Sequence, residues 1–308
     1  MNLNQLRFVK ALAATSSFSR AADTCAVTQP TLSNALAQLE EELGGQLFER
    51  TTRRVALTGF GRHLLPLVED VLNARNQLSH SAEGFLNPEH KLVRIGMSPL
   101  VDMRLLTCAL EPFRREHANV EVVYKECFLD DLDNRLGGEQ VDFGIRPTLA
   151  DRAKHRGLGR CPFYEEPLYF IPRSAGPVTA LTAASIRLSE IAQETFVLTP
   201  DVCGLTSTIQ SLFDQHGLGL KKYPGHALSY QVLQDWAALG IGAAILPLSK
   251  ISAAHRPGAS MVVLADGSEA MVRQEITWNQ NAAPSKHVKA CRDYFRDVVP
   301  ELIAGITA

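Results

Sequence analysis

Apolar residues recur along this chain with three successive periods. Leu32, Leu36, Leu39 and Leu43 are spaced by four, three and four residues, which places them on one stripe of a helix. A heptad follows, with Ser81 as its interruption and apolar side chains at Phe60, Leu64, Leu67, Val71, Ala74, Leu78 and Phe85. From residue 91 onward, short apolar runs typical of buried strands alternate with helical patterns. The pattern predicts a small helical domain, a long helix and an α/β domain.

Residues 16–40 predict two helices joined by a tight turn. We expect Ser19 to cap a short helix at 20–24 and Thr28 to cap the second helix, with residues 25 and 26 in the turn. The second helix then presents a face of short, uncharged side chains, namely Gln29, Pro30, Thr31, Ser33 and Asn34. Such a face can enter the major groove of DNA, where Gln pairs with adenine and Ser with several base edges. An ordinary helical hairpin with a solvated face has the same pattern, so the pattern alone leaves both interpretations open.

The flanking sequence adds a family resemblance. Residues 1–62 resemble the N-terminal region of LysR-type transcriptional regulators in three ordered segments, LNQLRFVKALAATSSFSRAA, TQPTLSNALAQLEEELGGQLFER and TTRRVALTGFGR. The resemblance covers the whole chain and implies a winged helix-turn-helix, a linker helix and an effector-binding domain of two α/β halves. It also implies a tetramer, contact with RNA polymerase and effector-dependent DNA bending. The chain departs from the family at Asn34, Ala37 and Gln38, where basic residues are usual or frequent.

Charge is distributed unevenly along the chain. The 308 residues carry a formal net charge of −2, which argues against a uniformly basic surface for nucleic acid. Residues 50–62 nevertheless contain no acid and four arginines, Arg50, Arg53, Arg54 and Arg62. These follow the predicted helix-turn-helix, with wing strands expected at 46–49 and 55–58 and the tip at 51–54. We therefore expect Arg50, Arg53 and Arg54 to contact phosphate or the minor groove.

The heptad predicts a helix at 59–87 that pairs with a second copy of the chain. About 26 residues at about 1.5 Å each would span roughly 40 Å, with Pro66 near the start. Packing within its own domain is the alternative, but the helix begins at the wing and ends in a break at 84–88. Pairing would supply two DNA-binding heads for an interrupted palindrome. The predicted domains are thus 1–58, 59–87 and 88–308.

Two βαβ cycles follow in residues 88–308. The predicted strands are 92–97, 120–127, 141–145, 195–199, 222–227 and 242–246, and the predicted helices are 102–116, 129–137, 205–216 and 230–239. Extended crossovers at 163–172 and 271–280 join the cycles, and a terminal helix at 284–303 follows. This predicts a hinged clamshell like that of periplasmic binding proteins, with half I at about 88–162 and 269–308 and half II at about 163–268.

Ligands of open parallel sheets bind beyond the carboxyl ends of the strands. That rule selects Ser98, Pro99, Leu100, Val101, Arg146, Thr199, Pro200, Asp201, Val202, Cys203, Gly204, Thr206 and Pro247. Arg146 is the one arginine among them, and its alternative role is an ion pair with Glu126 or Asp201. Hydroxyls, helix N-termini and this arginine predict a small organic anion, a carboxylate first of all. If Asp201 points inward, the ligand should also carry a cationic or donor group.

Other classes of protein have weaker support. The motifs GxSxG, GxxxxGK[ST], HExxH and the EF-hand loop are missing, and the cysteines lack metal-binding spacing, so we expect neither an enzyme nor a metal or cofactor beyond the effector. A redox sensor using Cys203 is an alternative, although no resolving cysteine is nearby in sequence. A solute-binding protein would leave residues 1–90 without a role. No signal peptide or membrane span is visible, so we expect a cytoplasmic protein without membrane contact.

Overall fold

The computed structural model describes residues 1–50, 55–86, 91–148, 157–173 and 184–307. The chain forms two compact units, Met1–Pro88 with Gly137–Gln140, and Glu89–Leu136 with Val141–Ala308. In chain order the elements are α1 Leu3–Thr15, α2 Phe18–Cys25, α3 Gln29–Leu43, β1 Phe48–Arg50, β2 Val55–Leu57, α4 Gly59–Leu86, β3 Lys91–Met97, α5 Met103–Glu116, β4 Val120–Glu126, α6 Leu129–Gly137, β5 Phe143–Pro147, β6 Leu158–Ile171, β7 Ser185–Arg187, α7 Leu188–Ile191, β8 Thr195–Leu198, α8 Leu205–Gln215, β9 Lys221–His226, α9 Tyr230–Ala238, β10 Ala244–Pro247, β11 Ser260–Val263, β12 Met271–Asn279, α10 Lys286–Asp297 and α11 Val299–Thr307.

Each of the first three helices begins at a polar cap. Asn2, Ser17 and Thr28 have extended backbones, and their side chains accept hydrogen bonds from backbone N–H groups of the first turn. The cap predicted at Thr28 is confirmed. The cap predicted at Ser19 is wrong, because the helix already begins at Phe18 and a cap requires a non-helical backbone. The Ser19 hydroxyl instead donates to Gln29 Oε1 over 3.0 Å.

The first three helices and the base of the wing share one core. Leu32, Leu36 and Leu39 of α3 are buried there, as their spacing predicts. Glu40 Oε1 accepts hydrogen bonds from the backbone nitrogens of Leu47 at 2.7 Å and of Phe48 at 3.1 Å, which holds β1 against the end of α3. Strands β1 and β2 then pair antiparallel. The arrangement is the predicted winged helix-turn-helix, and the tip at 51–54 lies outside the described residues.

Helix α4 is apolar on two faces. Val68 and Leu72 are buried in the core of the first unit, and Leu64 packs against that core. Leu64, which the heptad assigned to the pairing seam, therefore also contacts the core of its own unit. A second stripe lies about 100° around the helix, and its members Leu67, Val71 and Leu78 are 55%, 45% and 72% exposed. One chain therefore leaves this stripe in water.

The second unit contains two hydrophobic cores. Parallel strands β3, β4 and β5 with helices α5, α10 and α11 surround the first core, and β8, β10, α8 and α9 belong to the second. The predicted βαβ elements are present, with ends shifted by one or two residues. The single terminal helix predicted at 284–303 is wrong. Two helices, α10 and α11, meet at Val298 because Pro300 lacks an N–H and its ring clashes with a preceding carbonyl.

Two long strands belong to both cores. On β6, Cys161 and Phe163 are buried in the first core, while Leu168 and Phe170 are buried in the second. β12 pairs antiparallel with β6, and its register shifts where it passes from one core to the other. The two α/β halves joined by two crossovers confirm the predicted fold class. No helix in the described part of the chain is both long enough and apolar enough to cross a bilayer.

The exposed stripe of α4 generates a prediction about assembly. Val71→Glu should break the pairing of two copies, because the paired helices would bury an unpaired carboxylate. Asn76→Glu introduces the same charge about 140° away around the helix and is the matched control. Sedimentation of the full chain measures both. If Val71→Glu sediments like the wild type, the stripe does not hold the oligomer together.

Candidate functional site

The exposed face of α3 carries the side chains predicted to contact DNA bases. Gln29, Pro30, Thr31 and Asn34 are exposed and Ser33 is half-buried. The Thr31 and Thr28 hydroxyls lie 2.8 Å apart, which ties Thr31 to the start of the helix. No charged side chain interrupts this face between Thr28 and Gln38. The first unit thus presents a neutral, hydrogen-bonding helix surface of a size that suits a major groove.

The base of the wing is tightly connected to the start of α4. Thr58 Oγ1 donates to the Gln46 carbonyl over 2.6 Å and accepts from Gly61 N over 2.9 Å. A Cβ at Gly61 would lie 2.1 Å from the Leu47 carbonyl oxygen, so only glycine allows this approach. Of the predicted phosphate contacts, Arg53 and Arg54 lie outside the described residues. For Arg50 the structure describes the backbone, in β1, and not the side chain.

In the second unit, loops from the two halves touch directly at the strand ends. Ser98 is buried and its hydroxyl donates to the Cys203 carbonyl over 2.8 Å. Leu129 N donates to the Val202 carbonyl over 2.9 Å. Leu100, which comes from the first half, is buried in the hydrophobic core of the second half. The structure therefore brings together residues that the strand-end rule selected in the two halves, and their loops contact each other.

Most polar groups of the loop after β8 are satisfied within the loop. Thr206 Oγ1 donates to the Thr199 carbonyl over 2.8 Å. Asp201 is exposed, and its carboxylate accepts from the backbone N–H of Ser207 over 3.0 Å and from the Ser207 hydroxyl. It therefore caps α8 and does not point inward. A Cβ at Gly204, with φ of +88°, would lie 2.5 Å from Pro147 Cγ, so this position requires glycine.

Arg146 has a different environment from the one predicted. It lies within β5, which extends to Pro147, and the residue is only 2% exposed. Its guanidinium is ion-paired with Asp133 of α6, and not with Glu126 or Asp201. Because an uncompensated buried charge is costly, this pair keeps the guanidinium at the contact between the sheet and α6. Its charge is therefore engaged before any ligand arrives.

The structure adds a cation that the sequence analysis missed. Lys250 follows β10 in a 3₁₀ turn, Leu248–Lys250, and its Nζ donates to the Val101 carbonyl of the other half over 2.8 Å. The same nitrogen lies 5.9 Å from the centre of the Tyr230 ring. The strand-end rule pointed to Pro247, which is buried, and the charged side chain lies three residues further on. A search one turn beyond each strand end would have found Lys250.

A carboxylate on the shared strand faces the same turn. Glu166 of β6 accepts hydrogen bonds from Ser249 N at 3.1 Å and Ser249 Oγ at 2.9 Å. Burial raises the pKa of Glu166, and the bonds from Ser249 oppose that rise. Burial lowers the pKa of Lys250, while the nearby carboxylates of Asp102, Glu166 and Glu126 act in the opposite direction. Lys250 is thus a partly desolvated cation among acids, at the junction of both halves and β6.

Cys203 is buried in the same region. The Tyr230 hydroxyl donates to Cys203 Sγ over 3.2 Å, and Thr199 Oγ1 lies 3.9 Å from the sulfur. Burial, followed by the neighbouring Cys203, raises the pKa of Tyr230, which keeps the phenol protonated. All six cysteines of the chain are unpaired. Among the described residues, no group of three or more His, Cys, Asp or Glu side chains is arranged to hold a metal.

Two family models match the chain. The model described as bacterial regulatory helix-turn-helix protein, lysR family, matches residues 3–62, and the LysR substrate binding domain matches residues 87–300. The hydrogen peroxide-inducible genes activator of Pectobacterium carotovorum subsp. carotovorum is 29% identical over 251 residues, 80% of this chain and 80% of that protein. The HTH-type transcriptional regulator BenM of Acinetobacter baylyi is 27% identical over 252 residues, 81% of each.

Solved structures show the same fold. A mutant of Corynebacterium glutamicum OxyR, with H2O2 bound, superimposes with a TM-score of 0.56 at 23% identity, covering 99% of this chain and 93% of that one. At this identity the likeness concerns the fold.

The α3 surface generates a prediction about DNA. Gln29→Ala should weaken binding to the preferred sequence by about 1–3 kcal/mol while leaving scrambled DNA nearly unaffected, because a base contact is lost. Gln231→Ala, the same change at an exposed glutamine of α9, is the matched control. Anisotropy titrations with both DNAs at two salt concentrations measure the effect. Equal weakening on both DNAs by Gln29→Ala would refute the assignment of α3 as the helix that contacts bases.

Proposed function

Because the chain belongs to the LysR family of transcriptional regulators, we propose that it binds an interrupted palindrome as a homo-oligomer and is switched by a small organic anion. The observation that carries the effector proposal is the meeting of polar groups from both halves at the strand ends, beside strands that both halves share. A ligand held between the halves changes how they contact each other, and that is the physical basis of a switch.

The proposed DNA contacts divide between two elements. Gln29, Pro30, Thr31, Ser33 and Asn34 would contact base edges, and the wing arginines Arg50, Arg53 and Arg54 would contact phosphates. This division follows from charge, since the α3 face is neutral and the arginines cluster at the wing. The exposed stripe of α4 supports a dimer as the minimal unit, which places two heads on a two-fold site.

The remaining partners follow from the family. We propose a tetramer and contact with RNA polymerase, as other regulators of this kind have. A protein that regulates transcription in this way acts where the DNA is, which in bacteria is the cytoplasm.

For the effector we propose Lys250, in place of Arg146, as the cation that meets the ligand. Arg146 is already paired with Asp133. Lys250 donates only to a neutral carbonyl among its hydrogen bonds in the structure, so a carboxylate can replace that partner with a stronger, charge-assisted bond.

The acids around Lys250 narrow the ligand class. Asp102, Glu126 and Glu166 all act on its charge, and their combined negative charge disfavours a ligand with several carboxylates. A monocarboxylate that also carries a donor or an ammonium group suits this environment better. Asp201, from which that requirement was predicted in the sequence, instead caps α8. The other contacts in this proposal are the strand-end residues from Ser98 to Val101, Thr199, Pro200, Val202 to Gly204, Thr206 and Pro247.

A second candidate function is redox sensing through Cys203. The hydrogen bond from the Tyr230 hydroxyl to Sγ favours a polarised sulfur, and a 29% identical relative is named for induction by hydrogen peroxide. One observation opposes it, since Cys203 is only 4% exposed and is therefore poorly accessible to peroxide. The effector proposal therefore has the stronger support.

Lys250 generates a prediction about affinity. A thermal-shift screen of small carboxylates on the full chain identifies a ligand, since binding to the folded state raises its stability. Calorimetry with that ligand should show that Lys250→Met weakens binding by about 2–5 kcal/mol, the loss expected for a buried charge pair. Lys222→Met, an exposed lysine on β9, should bind like the wild type. Equal affinity of Lys250→Met and the wild type, or a screen in which no carboxylate raises the melting temperature, would contradict the anion proposal.

Peroxide treatment separates the two candidate functions. After exposure to stoichiometric H2O2, mass spectrometry should find Cys203 still a thiol, because burial limits access, while the exposed Cys108 serves as the internal control. DNA binding should not change. Oxidation of Cys203 ahead of Cys108, together with altered DNA binding, would favour the redox sensor.

A further inference from the structure

The second unit contains a buried amide without hydrogen bonds. Among the described residues, the buried side-chain polar atoms that lack a partner are both amide atoms of Gln274 and the hydroxyl of Tyr124. Gln274 is 2% exposed. Native proteins satisfy nearly all buried polar groups, so an amide with neither end satisfied calls for an explanation. Tyr124 lies on β4, the edge strand of the sheet and away from the second half.

Gln274 lies where the two cores exchange strands. Its backbone pairs with Pro147 of β5 on one side and with Tyr164 of β6 on the other. The β6–β12 register shifts directly after it, between Gln274 and Glu275. Such an irregularity bends a strand and lets it change direction. Gln274 therefore lies where β12 would bend if one half rotated against the other.

The neighbours of Gln274 lie beneath the facing loops of the two halves. Cross-strand partners project to the same side of a sheet, so the Gln274 side chain stands between those of Pro147 and Tyr164. The Pro147 ring packs under Gly204 of the second half. The Tyr164 hydroxyl accepts a hydrogen bond over 2.6 Å from the backbone N–H of Asp102, at the start of α5. The Gln274 side chain thus lies on the side of the sheet where its cross-strand neighbours contact the loops at 98–102 and 199–204.

Direct hydrogen bonds join the facing loops of the two halves in this structure. The Ser98–Cys203, Leu129–Val202 and Lys250–Val101 hydrogen bonds measure 2.8, 2.9 and 2.8 Å. While they are made, Gln274 is only 2% exposed. Opening at β6 and β12 would uncover it together with Lys250.

We propose that Gln274 is a ligand-contacting residue of the effector site, whose amide binds a ligand group that both donates and accepts hydrogen bonds, such as a carboxamide. This rests on the proposed function and narrows it: the ligand is a small carboxylate with a carboxamide at its other end. Lys250 binds the carboxylate, and the Gln274 amide pairs with the carboxamide, N–H to oxygen in both directions. In the ligand-free closed state the Gln274 amide lacks these hydrogen bonds, and the bound ligand would provide them.

The first arm of the test needs no ligand. Methionine has nearly the length of glutamine and no strong hydrogen-bonding group. Gln274→Met should raise the melting temperature of the full chain, because an unsatisfied amide is removed from a buried position. Gln280→Met, an exposed glutamine just after β12, should leave it unchanged and is the control. A melting temperature of Gln274→Met several degrees below that of the wild type would show that the amide is satisfied in the folded protein, which overturns the proposal.

The second arm compares two probes that differ in one group. Succinamate and levulinate share a carboxylate and a carbonyl, but succinamate has an amide NH2 where levulinate has a methyl group. Calorimetry on the wild type should show at least about tenfold tighter binding of succinamate, equivalent to 1.4 kcal/mol. That preference should fall to within about twofold in Gln274→Met.

Each outcome of the probe experiment decides the proposal. Equal binding of the two probes to the wild type, binding of neither, or a preference that survives in Gln274→Met contradicts it. Failure of both probes, alongside a screened carboxylate whose binding depends on Lys250, would reject the role of Gln274 and leave the proposed function intact. If no carboxylate binds at all, the proposed function fails as well.

Discussion

Helix α4 has two apolar faces, and a single chain buries only one of them. Val68 and Leu72 complete the core of the DNA-binding unit, so this face is occupied. The stripe of Leu67, Val71 and Leu78 remains in water. Burying it stabilises an oligomer at about 25 cal/mol for each Å² removed from water. The same helix that completes one head thus leaves an apolar stripe for a second copy, and this stripe is the basis of the proposed dimer.

The second unit depends on a comparable sharing of parts. Strands β6 and β12 each supply side chains to both hydrophobic cores, so neither half is complete without them. The polar groups at the strand ends are largely bonded across the halves or within their own loops. A ligand bound between the halves would therefore have to replace some of these hydrogen bonds. Under the proposals above, Lys250 would exchange the Val101 carbonyl for a charged acceptor. The Gln274 amide would form its first hydrogen bonds.

The sequence predicted the features that local periodicity and capping determine, such as helices and strands. It did not predict which residues distant in sequence contact each other. The α3 stripe, the Thr28 cap and the alternation of strands and helices are local patterns, and the structure contains them. The break at Val298 was missed although Pro300 marks it. Leu64 fits a heptad equally well whether it faces a partner or its own core, so spacing could not place it. The partner of Arg146, by contrast, depends on how α6 lies over the sheet, and no spacing rule selects Asp133 over Glu126. Gln274 could not be recognised at all, because an unsatisfied amide is defined by its surroundings.

The central claim is that two copies of one DNA-binding head, joined through α4, bind DNA together. Selection of duplexes from a random pool by the full chain, followed by sequencing of the bound fraction, tests this most directly. The account predicts enrichment of two inverted half-sites at a fixed separation, with centres about 10 base pairs or a multiple of that apart. Enrichment of a single, unpaired half-site, or of no sequence at all, would contradict it.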